Sequence, residues 1–81
     1  MDHRQAIRTF VGELLTAKGD TRSTADGDAL IVSGRLASMD VLNLVVFLEE
    51  RYGVDFSDGF DQNDLDSVDS IVALVRERGG T

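Results

Sequence analysis

The sequence contains no cysteine and no proline, and its only histidine is His3. Without cysteine the chain has no disulfide, no thiol nucleophile and no thiolate metal site. A Ser-His-Asp arrangement would require the N-terminal segment around His3 to fold back onto a distant serine. The residues therefore favour a protein that is not an enzyme. Because proline is absent, glycine and polar clusters must end the helices.

Long apolar runs and basic residues are also scarce. No run approaches the length of a membrane span, and the first residues are polar rather than an apolar signal segment, so we expect a cytoplasmic protein. The chain has 8 Lys and Arg residues against 15 Asp and Glu residues, a formal net charge of −7. This charge opposes binding to nucleic acid and favours basic surfaces on protein partners.

The spacing of apolar residues predicts helices. The 81 residues, 42% of them apolar, suffice for a single domain, residues 1–81, with a small core. Helices are predicted over residues 2–18, over residues 38–51 and from Ser67 to the glycines at 79–80, with a short helical turn in residues 61–65. The apolar stripes that define the three main helices are Ala6, Ile7, Phe10, Val11, Leu14 and Leu15; Leu44, Leu48 and Tyr52; and Val68, Ile71, Val72, Leu74 and Val75.

Residues 19–37 are predicted to form a long loop between the first two helices. A structureless loop of this length is unusual in a small domain, so some of Leu30, Ile31, Val32 and Leu36 should tuck under the helices. A short strand over residues 29–32 is the alternative, but no other segment resembles its partner. The predicted fold class is therefore all-α, with three main helices, one short helix and a long first loop.

An acidic cluster in the second half of the chain raises the question of a calcium site. Its members are Asp55, Asp58, Asp61, Asp64, Asp66 and Asp69. Their spacing does not match a calcium-binding loop, which needs oxygens at positions 1, 3 and 5 followed by glycine and a distant glutamate. We interpret the cluster as a solvated acidic face, which leaves only weak surface binding of a divalent ion open, and we predict no metal site.

Two serines, Ser38 and Ser67, stand at predicted helix starts. A serine there is usually an N-cap, worth about 1 kcal/mol to its helix. Its hydroxyl is alternatively a point where another group is attached. Helix physics alone favours the cap for both serines.

The order of the elements separates the two serines, because it resembles that of acyl and peptidyl carrier proteins over essentially the whole chain. The resemblance includes the segment GRLASMD at residues 34–40 and the segment LEERYGVDF at residues 48–56. It implies an acyl-carrier-protein-like bundle in which Ser38 carries 4′-phosphopantetheine through a phosphodiester, and the thiol of that arm holds an acyl or aminoacyl thioester. Ser67 matches the cap of the last helix of the family.

The sequence departs from the family at one position beside Ser38. The family pattern is Asp-Ser-Leu or Asp-Ser-Met, and here Ala37 replaces the aspartate. The alternative function is therefore a carrier-like interaction module that is not phosphopantetheinylated. The Gly-x-Leu-x-Ser-Met motif resembles stand-alone amino-acid carriers as much as it resembles fatty-acid carriers. Asn43 and Val46, where a fatty-acid carrier would carry charge, favour a specialised carrier.

The resemblance also implies the partners: a phosphopantetheinyl transferase and the enzymes that load and receive the acyl or aminoacyl group. We expect a monomer that contacts them through the second helix. The predicted contacts are the apolar Met39, Leu42, Val46 and Phe47 and the acidic Asp40, Glu49 and Glu50. Burial in the core is the alternative for the apolar residues on this helix, and it is favoured for Val45.

Overall fold

A computed structural model describes residues 3–57 and 59–79. It contains the helices α1 (His3–Ala17), α2 (Ser38–Tyr52) and α3 (Val68–Arg78), with a short 3₁₀-helix (Gln62–Leu65) before α3. No strand occurs in these two ranges, so the all-helical prediction is confirmed and residues 29–32 belong to the loop. The predicted start of α1 at Asp2, the turn residue Asp58 and the stop at Gly80 lie outside the described residues.

Glycines end α1 and α2, as the sequence predicts. The first helix stops at Ala17, one residue early, because Gly19 takes a left-handed conformation with φ of 82° and the Asp20 N–H returns to the Leu15 carbonyl at 2.9 Å. The second helix runs one residue further than predicted, to Tyr52. Gly53 then adopts φ of 67° and donates its N–H to the Glu49 carbonyl.

The core lies where the three helices and the long loop meet. Leu44, Leu48 and Tyr52 of α2 face inward, as their spacing predicts. The buried apolar residues in the described part of the chain are Ile7, Val11, Leu15, Leu30, Leu36, Val41, Leu44, Leu48, Tyr52, Val54, Phe56, Leu65, Val68, Ile71, Val72, Leu74 and Val75. No helix in the described part of the chain combines the length and the apolar character needed to cross a membrane.

The long loop is fastened to the second half of the chain. Leu30 and Leu36 enter the core, as predicted for some of the loop's apolar residues, whereas Val32 remains 78% exposed. One carboxylate oxygen of Asp66 accepts the backbone N–H groups of residues 30, 31 and 32 at 3.1, 2.6 and 3.1 Å. Nearer the start of the loop, the Asp69 N–H donates to the Asp26 carbonyl at 2.9 Å. These contacts fix the path by which the chain approaches α2.

Candidate functional site

The two serines at helix starts have different structural roles. Ser67 is the N-cap of α3, and its Oγ accepts the Ser70 N–H at 3.1 Å, as predicted. At α2 the N-cap position belongs to Ala37, whose extended backbone precedes the first helical residue, Ser38. The Ser38 side chain is exposed and makes no hydrogen bond to any other described residue.

The interpretation of Ser38 as an N-cap is therefore wrong. A cap side chain must sit on the extended residue before the helix in order to reach the free N–H groups of the first turn. Ser38 lies one position too late for this geometry. Its hydroxyl has no structural function among the described residues and stands exposed at the surface.

Asp40 supports the start of α2 in place of a side-chain cap. Its Oδ2 accepts the Ala37 N–H at 2.9 Å and the ammonium of Lys18 at 2.6 Å. These contacts lower the pKa of the Asp40 carboxyl below its ordinary value, the Lys18 hydrogen bond having the larger effect and the Ala37 N–H the smaller. Lys18 also donates to the Arg35 carbonyl at 2.9 Å. The backbone is thus held on both sides of Leu36 and Ala37.

The Arg35 side chain provides a second anchor for the same segment. Its Nε donates to Asp20 at 3.0 Å, and both side chains are about nine-tenths buried. Arg22 contacts the same carboxylate at 2.9 Å. Hydrogen bonds from these two arginines hold the pKa of Asp20 far below its usual range. Those from Arg22 have the larger effect and those from Arg35 the smaller. Beyond Arg35, the buried Leu36 donates its N–H to the Leu30 carbonyl at 2.8 Å.

An open, mainly apolar cleft of about 690 Å³ begins at Ser38. The loop forms one wall with Ile31, Gly34 and Leu36, and α2 forms another. Phe60, which packs edge-on against Phe56 at 5.6 Å between ring centroids, covers the far side. The residues that line the cleft are Ile31, Gly34, Leu36, Ala37, Ser38, Val41, Leu42, Phe60 and Gln62. The cleft offers apolar contacts to a group attached at Ser38.

The predicted contact residues occupy three different environments on α2. Met39, Leu42 and Val46 are exposed by 69%, 56% and 50%, so the alternative that they form part of the core is wrong. Glu49 and Glu50 are also exposed, but they lie roughly 16 Å along the helix axis from Ser38 at 1.5 Å per residue. The structure brings Met39 and Leu42 close to Ser38, and it does not bring the two glutamates there.

Phe47 and Asp40, which are also predicted contacts, are already engaged within the molecule. Phe47 is half-buried and stacks on Phe10, with 4.1 Å between ring centroids and 7° between ring planes. Asp40 is committed to Lys18 and Ala37, as described above. Val45 is half-buried against the core, near the burial expected for it.

Two exposed apolar residues were not predicted as contacts: Phe60, which lines the cleft and is 39% exposed, and Val32, which lies in the loop before it. Both lie in loop segments, where apolar residues follow no period that indicates which side faces solvent. A single exposed apolar side chain in such a segment gives no recognisable signal in the sequence.

His3 is far from Ser38. Its ring packs edge-on against Tyr52, 4.6 Å between centroids, at the last residue of α2. Ser38 begins the same helix, so the two ends are roughly 20 Å apart and His3 cannot act as a base for the Ser38 hydroxyl. Among residues 3–57 and 59–79, no three acidic or histidine side chains come together as a group that could hold a metal ion.

Comparison with known proteins agrees with this geometry. No family model matches the sequence, and no curated protein matches it. The structure is similar to the solution NMR structure of a holo acyl carrier protein from Nitrosomonas europaea, with a TM-score of 0.70, 25% sequence identity and coverage of 95% of each chain. The chain therefore has an acyl-carrier-protein-like fold, as the resemblance implies, and the match supports a carrier role in general.

Proposed function

We propose that this protein carries an acyl or aminoacyl group as a thioester on 4′-phosphopantetheine attached to Ser38. The observation that carries the proposal is the Ser38 hydroxyl, which is exposed at the start of α2 and makes no hydrogen bond to another described residue. The Ser67 hydroxyl, by contrast, caps α3. The likeness of the whole fold to a holo acyl carrier protein supports the same conclusion.

The residues around Ser38 suit attachment of this group. The hydroxyl is available as a nucleophile, and the carboxylate two residues later, Asp40, is already bound to Lys18 and to the Ala37 N–H. The apolar cleft beside Ser38 offers contacts to the arm or its cargo. When bound, the group supplies the thiol that holds the cargo as a thioester.

A phosphopantetheinyl transferase, with its own base and Mg²⁺, catalyses the attachment. Ser38 Oγ attacks the phosphorus of coenzyme A that bears pantetheine and forms the phosphodiester. The bond from that phosphorus to the nucleotide phosphate breaks, and the hydroxyl proton passes to the base of the transferase. This chain contributes the nucleophile and its position, and it has no catalytic activity of its own.

The contacts with the partner enzymes follow from the surface around Ser38. Met39 and Leu42 flank the attachment point, and Val46 extends this apolar surface along α2. Glu49 and Glu50 lie exposed at the end of the helix, where they suit basic patches of the transferase and of the loading and receiving enzymes. Asp40 and Phe47 act mainly by holding the shape of this surface. The protein works as a cytoplasmic monomer.

Intact-mass measurement tests the proposal. Purified protein is incubated with a broad-specificity phosphopantetheinyl transferase, coenzyme A and Mg²⁺. Wild type and Ser67→Ala are expected to gain one phosphopantetheine, and Ser38→Ala none. Ser67→Ala is the matched control because it removes the hydroxyl that the structure uses as a cap. If the wild type gains no mass under conditions that modify another carrier, the proposal is wrong.

A second candidate function rests on Ala37. A carrier-like module that binds partners without modification would explain the loss of the aspartate from the family pattern. In this case the wild type stays unmodified and Ser38→Ala retains partner binding. Modification of Ala37→Asp, but not of the wild type, by the same transferase would favour this candidate.

A further inference from the structure

The start of α2, where Ser38 lies, lacks the side-chain N-cap that stabilises most helix starts. Helix starts are stabilised by a side chain at the N-cap, and the alanine at position 37 has no oxygen with which to cap. Ser38 itself gives no support, since its hydroxyl is unbonded within the described residues. The position of Ser38 therefore depends on other contacts, and the Ala37 N–H is held by Asp40 of the same turn.

The side chain of Lys18, the only lysine in the sequence, provides this support. Its ammonium donates to the Arg35 carbonyl at 2.9 Å, three residues before Ser38, and to Asp40 Oδ2 at 2.6 Å, two residues after it. The same oxygen of Asp40 accepts the Ala37 N–H at 2.9 Å. Lys18 thus connects the end of the loop to the first turn of α2 across the serine.

We propose that Lys18 is a positioning residue that holds residues 35–40 in the conformation in which the transferase modifies Ser38. This inference rests on the proposed function. It adds to that function a role for Lys18, the residue directly after α1. Lys18 does not touch the reacting atoms. It acts through Asp40 and the Arg35 carbonyl, and its loss increases the number of conformations that the segment samples. A transferase that binds one of these conformations then finds a smaller competent fraction.

The test measures kcat/KM for phosphopantetheinylation of Lys18→Met at a temperature where circular dichroism shows a fully folded protein. We expect kcat/KM to decrease about five-fold, because the population of the competent conformation should fall by the same factor. Arg76→Met is the matched control, because it removes an exposed cation of α3 that has no hydrogen bond or ion pair with the other described side chains. It should keep the wild-type rate. Acetylation of folded wild type, which has no other side-chain amine, should reproduce the loss.

Two further readouts separate positioning from general stability. Amide hydrogen exchange at Ala37 should become faster in Lys18→Met and not in Arg76→Met, because only the first disturbs Asp40. In an Ala37→Asn background, which supplies a neutral side-chain cap, the effect of Lys18→Met on the rate should nearly disappear. A wild-type rate for folded Lys18→Met, or an equal loss in the Ala37→Asn background, would overturn the role of Lys18. Failure of the wild type to be modified overturns the proposed function instead.

Discussion

The hydroxyl of Ser38 is available because Ala37, and not Ser38, occupies the N-cap position of α2. A shift of one residue separates a serine that stabilises a helix from one that is free to react. Ser67 shows the other outcome, since its oxygen is bound to the Ser70 N–H and contacts the Ser70 hydroxyl at 3.0 Å. Local chemistry thus distinguishes two serines that are equivalent by type.

Removal of the Ser38 hydroxyl should abolish modification and barely change stability, whereas removal of the Ser67 hydroxyl should lower stability and leave modification unchanged. Ser38→Ala should change the free energy of unfolding by less than about 0.5 kcal/mol, because the Ser38 hydroxyl has no hydrogen bond within residues 3–57 and 59–79. Ser67→Ala should cost about 1 kcal/mol, the usual value of an N-cap. Urea denaturation of the two variants checks this difference. A loss for Ser38→Ala equal to that for Ser67→Ala would mean that Ser38 has a structural role.

At the scale of single residues, the sequence indicates which serines matter, but it does not indicate where each one lies relative to the first residue of its helix. The GRLASMD segment points to Ser38 as the proposed attachment residue only through the family resemblance. The serine before the apolar stripe of α3 predicts the Ser67 cap, and the structure confirms this cap. Whether Ser38 is the cap or the first helical residue depends on backbone dihedral angles, which neighbouring contacts decide. The Lys18 and Asp40 contacts join residues 22 positions apart, and no local pattern indicates them.

The loop over residues 19–37 is the element that determines where Ser38 lies. Its two apolar anchors, Leu30 and Leu36, are buried, and the N–H groups of residues 30–32 converge on Asp66. Three backbone donors to one carboxylate make a strong tether, because hydrogen bonds to charged groups exceed neutral ones. The loop therefore behaves as an ordered part of the fold and presents the start of α2 in one position.

Asp66→Ala should loosen this loop. The variant leaves the N–H groups of residues 31 and 32 without their acceptor, whereas the Leu30 N–H keeps the Asp66 backbone carbonyl at 2.6 Å. We expect a loss of about 2 kcal/mol in unfolding free energy. Amide hydrogen exchange at residues 31 and 32 should become faster. Asp66→Asn keeps one carbonyl oxygen but not the charge, so it should lose less unfolding free energy than Asp66→Ala. Unchanged exchange at the amides of residues 31 and 32 in Asp66→Ala would contradict the tether.

The contact of Asp20 with Arg35 and Arg22 should make loop stability depend on pH. The folded state lowers the pKa of Asp20, so its contribution is complete above the unfolded value of about 3.9 and is lost as the pH falls below it. The difference in unfolding free energy between wild type and Asp20→Asn should be constant near neutral pH and shrink below about pH 4. Urea denaturation at several pH values measures it. Glu77→Gln is the charge-matched control, and a difference that grows on acidification would contradict the assignment.

The elements themselves were predictable to different degrees. Apolar spacing and glycine stops gave all three main helices and the 3₁₀ turn, with ends that differ by a residue, because helices have a strong periodic signal. The loop could be predicted only as a segment that must bury some apolar residues. Its path depends on Asp66 and Asp69, more than 30 residues away along the chain, and such pairings leave no periodicity.

At the scale of the whole molecule, negative charge dominates. The formal net charge is −7, and the ion pairs within the described residues engage four carboxylates: Asp20, Asp26, Asp40 and Asp69. The carboxylates outside these pairs include those of Glu49 and Glu50, which are exposed. The resulting field repels the parts of the molecule from one another and attracts basic partner surfaces.

Moderate salt should therefore raise the melting temperature. Screening weakens the self-repulsion of the chain, and exposed ion pairs, which salt also weakens, are individually worth little. Thermal denaturation at low and moderate ionic strength tests this. The double variant Glu49→Gln, Glu50→Gln brings the net charge from −7 to −5 by removing two charges and should show a smaller rise. A melting temperature independent of salt would count against repulsion as a significant term.

The carrier account depends most directly on the covalent state of Ser38 in the protein as cells make it. The decisive measurement is the intact mass of the native protein with the attached group preserved, followed by fragmentation to locate the modified residue. The account predicts one phosphopantetheine, with or without an acyl or aminoacyl cargo, on Ser38. An unmodified chain from cells whose other carriers are modified, or a modification at Ser67, would contradict it.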